Sequence, residues 1–106
     1  MGEKKIKVTV SWDILTNKPI PSIDPVTVKK GTETMIEWDA DSSITDLDIA
    51  GLNVSEFKDK TRSNDRKKVT ITDKATDLGN WPYTISATHV SGKRGSHDPK
   101  VQNDPN

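Results

Sequence analysis

The chain carries two imidazoles, His89 and His97, and with the adjacent Asp98 they are its most obvious metal-ligating side chains. Zinc or nickel accepts imidazole nitrogen and carboxylate oxygen, so His89, His97 and Asp98 make a candidate weak site if the segment between the histidines doubles back. The plainer expectation puts His89 on the wet face of a strand and His97 in a loop. Ser86 extends the set on paper to a Ser-His-Asp arrangement with His89 and Asp98. Side chains three apart on a flat strand leave opposite faces, which rules that triad out unless a bulge intervenes. Asp39, Asp41, Asp46 and Asp48 fall close together, and Ca²⁺ takes oxygens from such loops. No EF-hand spacing is present, and turn-forming Asp and Ser are the simpler reason for the cluster. Trp81 and Tyr83 are candidate ligand-binding residues, because an exposed ring stacks on a sugar, whereas Trp12 and Trp38 read as core.

The elements that must position these groups are strands. The stretch DPVTVKKGTETMIEW, Asp24 to Trp38, gives two of them, Val26 to Lys29 and Thr34 to Trp38, joined by a turn at Gly31. Upstream, Ile6, Val8, Val10, Trp12 and Ile14 alternate with polar residues, the mark of a sheet with one wet face. Pro19, Pro21 and Pro25 exclude helix between them and predict a loop with a short edge piece around Ile20 to Ile23. Ile44, Leu47 and Ile49 predict a strand with an irregularity, broken near Gly51 and continuing through Leu52 and Val54. A helical turn capped by Ser55 is expected at 55–58, then an exposed connection, KDKTRSNDR, and a strand through Val69 and Ile71. DKATDLGN is a polar loop. WPYTISATHV reads as one strand with Tyr83, Ile85 and Ala87 on one side. SGKRGSHDP reads as a turn or loop, Lys100 to Gln102 as an edge strand, and residues 103–106 as a frayed end.

At 106 residues, the chain is expected to form a single domain, 1–106. Sixteen basic and sixteen acidic side chains cancel, so no net field draws in nucleic acid or an anionic membrane. With no cysteine, disulfides, thiolate ligands and a cysteine nucleophile are all excluded. No stretch has the apolar length of a membrane span, and MGEKKIKVTVSW holds no signal-peptide core. The expectation is a cytoplasmic protein, the alternative being a leader removed upstream.

Pro25, Val28, Gly31, Ile36 and Trp38, in the order Pro-x-x-Val-x-x-Gly then Ile-x-Trp, resemble the central part of the cupredoxins, small copper-binding sandwiches. Tyr83, Ser86 and His89 are similar to that family's Tyr-x-x-Cys-x-x-His stretch, with Ser86 where the thiolate would be. Lys93 or Arg94 stands where a weak axial methionine is expected, and no histidine lies near Thr45 to Leu47. The resemblance implies the fold over Pro25 to Val101 without the metal, since a blue-copper site needs a thiolate and two imidazoles. A narrower resemblance is to the bacterial DP-EP proteins, carried by Asp24-Pro25, WPYTISATHV and DPKVQNDP. It implies a small sandwich and supplies no catalytic residue.

The reading is an all-β Greek-key β-sandwich of about seven strands, cupredoxin-like or immunoglobulin-like, without cofactor and without enzymatic activity. The expected role is a binding or protein-interaction module, with self-association or a homodimer through edge strands. Metal binding by His89 and His97, and carbohydrate binding by Trp81 and Tyr83, are the alternatives.

Overall fold

The computed structural model describes residues 4–105. They form eleven strands and no helix. In chain order these are β1 (Lys4–Asp13), β2 (Lys18–Pro21), β3 (Val26–Lys29), β4 (Thr34–Ala40), β5 (Ile44–Ala50), β6 (Phe57–Arg62), β7 (Lys68–Asp73), β8 (Gly79–Pro82), β9 (Thr84–His89), β10 (Arg94–His97) and β11 (Lys100–Asp104). One five-stranded sheet has the order β2-β1-β4-β7-β6, with β1 parallel to β4 and the other neighbours antiparallel. Opposite it lie β10-β9-β5 and β3-β11-β8, the β3-β11 pair again parallel.

Those two smaller sheets are two ends of one bent layer. A single residue, Tyr83, separates β8 from β9, and Asp98-Pro99 separates β10 from β11. The Tyr83 N–H donates to Pro99 O at 3.0 Å, so the ladder carries on through the bend. This splitting, together with β2, β6 and β10, raises the strand number above the seven expected, while the sandwich class stands.

Alternation places the core where the sequence predicts it. Val8 and Val10 of β1, Ile36 and Trp38 of β4, and Ile85 of β9 have no exposed surface. Thr84 and Ser86 face the other way. Ile14 departs from its expected place: β1 ends at Asp13, whose carboxylate takes the Leu15 N–H at 2.9 Å and the Thr16 hydroxyl at 2.8 Å, and Ile14 is left 71% exposed. Asn53, not Ser55, caps the turn before β6, accepting the Ser55 N–H on Oδ1 at 2.8 Å and the Phe57 N–H on its carbonyl at 2.9 Å.

The expected connection KDKTRSNDR is in large part β6, paired with β7 around a bulge between Lys58 and Thr61. It shows no alternation because after Phe57 every side chain of the strand is exposed. Inside SGKRGSHDP lies β10, paired with β9. Gly95 hides it from a periodicity reading, yet the glycine is there for packing: a Cβ would overlap the Asn17 carbonyl oxygen and sit 2.9 Å from Trp12 Cη2. The expected edge strand at Lys100 to Gln102 is β11, which lies between β3 and β8, and it includes Asn103 and Asp104, which were expected to fray.

Gly95→Ala is expected to lower unfolding stability by about 1–3 kcal/mol, the usual cost of overpacking, as measured by urea denaturation.

Candidate functional site

β9 sends Ile85 and Ala87 into the interior and Ser86 and Thr88 to the outer face. His89 follows the inward set. Its ring lies on Trp12 with centroids 5.3 Å apart and planes tilted by 31°, so it is half-buried instead of on the wet face expected for it. Nδ1 accepts the Ser91 N–H at 3.1 Å and lies 2.8 Å from Ser91 Oγ. A backbone N–H can only donate, so Nδ1 is the accepting nitrogen of the ring.

His97 sits in β10 opposite Ile85, four positions along β9 from His89. At the strand rise that is ~13 Å, too far for one ion. His97 Nε2 is 3.8 Å from Asp24 Oδ2, while Asp98 Oδ1 accepts the Thr84 hydroxyl at 2.8 Å. The three residues of the candidate metal site are therefore not brought together. Among the described residues no group of three or more imidazoles and carboxylates gathers at metal-binding range. Ser86 and His89 do leave opposite faces, as their spacing predicts.

The four aspartates part company as well. Asp41 accepts the Ser43 N–H at 2.9 Å and shapes the β4–β5 turn. Asp46 pairs with Arg62 and, at 3.6 Å, with Arg66, and Asp48 pairs with Lys60 at 3.1 Å. Asp39 and Glu37 interact on the outer face of the first sheet, beside Lys5 and Lys7. Its hydrogen bond to Asp39, and then the bond to Lys5, hold Glu37 down at about 2. Burial, and then the bond to Glu37, raise Asp39.

Of the aromatic pair, Tyr83 is 2% exposed. Its hydroxyl oxygen accepts the Trp38 indole N–H at 3.1 Å, and burial pushes its pKa up to about 12. It is a core residue and offers no face to a sugar. Trp81 is half-buried, edge-on to Phe57 with centroids 5.9 Å apart. Its Nε1 is buried without a hydrogen-bond partner.

Three features escaped the sequence. The free edge of β5 is capped by side chains from the opposite sheet: Arg62 Nε donates to Leu47 O at 2.9 Å and Lys60 Nζ donates to Ile49 O. The Leu47 N–H is taken by Arg66 O at 2.8 Å, and the Ile49 N–H by Asp48 Oδ1 at 2.9 Å. The second feature is a polar trough of about 570 Å³ on the outer face of β5-β9-β10, walled by Asp46 and Asp48 on one side and Arg94 on the other, with Ser86, Thr88 and Ser96 between. The third is a cleft of about 480 Å³ where the β5–β6 seam opens. Ile49, Phe57 and Ile71 form its apolar floor, Leu52 and Val54 its lip, and Lys58, Asp59 and Lys60 its rim.

No family model and no curated protein matches this sequence. Among the described residues no helix is long and apolar enough to cross a membrane.

Tyr83→Phe should cost about 1–3 kcal/mol in thermal or urea unfolding, because it strands a buried indole N–H. Lys60→Ala with Arg62→Ala uncaps two strand carbonyls and should increase aggregation on incubation, followed by light scattering.

Proposed function

We propose that this chain is a small non-enzymatic binding module on a copper-free, cupredoxin-like sandwich, and that its ligand is a polypeptide segment. The DP-EP resemblance belongs to the same proposal, supported by Asp24-Pro25, WPYTISATHV and DPKVQNDP. The observation that carries the reading is the cleft beyond Lys60. Its floor is lined by core side chains, Ile49, Phe57 and Ile71, themselves buried, and its accessible apolar surface comes from Leu52 and Val54. Val54, 89% exposed, stands on its lip. Burying such a surface against an apolar side chain is favourable, and the volume is that of an ordinary ligand pocket. The trough is a weaker candidate, since a hydroxyl-lined floor gains little by exchanging water for another polar group.

The mixed charge of the rim, Lys58, Asp59 and Lys60, suits an apolar residue flanked by polar neighbours. It suits a bare hydrocarbon less. Strand addition is closed at β5 by the capping of Leu47 and Ile49. It is open at β3, which ends its sheet and pairs on that side with no strand among the described residues, so a partner or a second copy would add there.

The test uses an apolar fluorophore, anilinonaphthalene sulfonate, with backbone amide shifts followed by NMR. Binding should shift residues 49–54, 57–60 and 71, and Val54→Asp should weaken it at least several-fold. Saturable binding that maps to the trough, or none at all, would sink the reading.

A further inference from the structure

Where β7 ends, Asp73 is completely buried, and Glu56 at 1% exposure and Asn103 at 2% close on the same spot from the turn before β6 and from β11. Buried carboxylates need donors. Here the donors are unequally divided. Glu56 receives the Thr76 N–H at 2.9 Å, the Asp77 N–H at 3.0 Å, the Thr76 hydroxyl, and Asn103 Nδ2 at 2.9 Å. Asp73 Oδ1 receives the Ala75 N–H at 2.8 Å and lies 3.4 Å from Asn103 Nδ2. That amide nitrogen carries two hydrogens, and Glu56 Oε2 and Asp77 O, each at 2.9 Å, are placed to take them. Asp73 is left with one well-made bond. Its Oδ2 and Asn103 Oδ1 are both buried and unpartnered.

Two orphaned acceptors beside a Glu56 already supplied with donors require something that donates or neutralises. Asn103 turns its NH₂ group, not its oxygen, towards both carboxyls, the reverse of what a cation would need from it. A proton on Oδ2 meets the requirement: it removes the second buried charge and makes Asp73 a donor in a cluster whose amide oxygen lacks one. We propose that Asp73 keeps its proton in the folded protein and that the neutral carboxyl is a latch, holding the β7–β8 loop and β11 to the turn before β6 until the proton leaves.

The electrostatics of the cluster agree. Burial, and more weakly the charge on Glu56, raise the proton affinity of Asp73, with the Ala75 and Asn103 donors acting against them. Burial works against the charge on Glu56, but the Asp77 and Thr76 donors outweigh it, Lys74 adds to them, and this carboxyl sits below its ordinary value. The ladder partners of Asp73, Thr34 and Phe57, carry no charge. Glu56, itself acted on by Lys74, is thus the charged group that adds to the effect of burial on Asp73. A carboxyl whose folded value is raised gives stability that is complete below its unfolded value and is lost as pH rises through the folded one. That is the opposite of an ion-paired aspartate.

The test is a ¹³C carboxyl NMR titration of the full chain, with melting curves of the wild type and Asp73→Asn at acidic, neutral and alkaline pH. The variant keeps an oxygen for the Ala75 N–H and sets a permanent N–H donor where the proton would be. Asp73 should titrate above the ordinary aspartate range. Across that titration the wild type should lose melting temperature and amide-exchange protection at Ala75 to Asp77, and the variant should not. Titration at or below the ordinary range overturns the proposal, as does an equal pH slope in the two proteins. So does stabilisation by Ca²⁺ or Mg²⁺ of a form with Asp73 ionised, which would assign the orphaned oxygens to a cation. Should Asp73→Asn fail to fold, the wild-type carboxyl titration decides alone.

Discussion

The indole N–H of Trp38 reaches across the interior to the hydroxyl oxygen of Tyr83, and the two layers are registered by that contact. Trp38 belongs to β4, in the middle of the five-stranded sheet, and has no exposed surface. A ring of that size fills the space between the layers, but its nitrogen must be satisfied wherever it ends. It ends at the one residue between β8 and β9. The bend at Tyr83, with the matching break at Asp98-Pro99, lets one chain segment serve β5 at one end and β11 at the other. The position of β11, and of the β3 strand it carries, follows from that bend.

A two-layer sandwich leaves open edges, and this molecule treats them differently. On the β5–β6 side the gap is stitched by long cationic side chains whose heads find backbone carbonyls and then carboxylates, Lys60 with Ile49 and Asp48, Arg62 with Leu47 and Asp46. Past Lys60 the stitching ends, and a cleft lined by the core side chains Ile49, Phe57 and Ile71 lies between the layers. The cleft is the unclosed end of a seam, which explains its apolar floor beneath a charged rim. At the other end of the second layer β3 stays open, short, and carries Lys29, a common guard against unwanted pairing.

Much of the fold was legible in the residues. Val8 and Val10, Ile36 and Trp38, and Ile85 and Ala87 alternate with polar neighbours and are buried as the alternation requires. The candidate site was hardly legible. The cleft takes Ile49 from a strand, Leu52 and Val54 from an irregular segment, and Ile71 from a strand distant in sequence, and no spacing joins them. Glu56 and Asn103 sat in polar runs that gave no sign of burial. His89 and His97 looked like neighbours across a loop, but antiparallel pairing of β9 with β10 carries them apart.

Composition and period-two patterning by themselves determined an all-β chain without thiol chemistry, with a core built from β1, β4 and β9. Tertiary structure alone decided that β6 and β10 are strands, that β11 is interior, that Tyr83 is a core residue and that three polar side chains are buried together. The physical reason is that alternation records which face of a strand avoids water and nothing more. Where a strand is held by backbone pairing with every side chain wet, as in β6, or where a glycine makes room for a ring, as in β10, there is no alternation to read. Which buried polar groups meet depends on pairing between distant segments, and that is fixed only when the layers close.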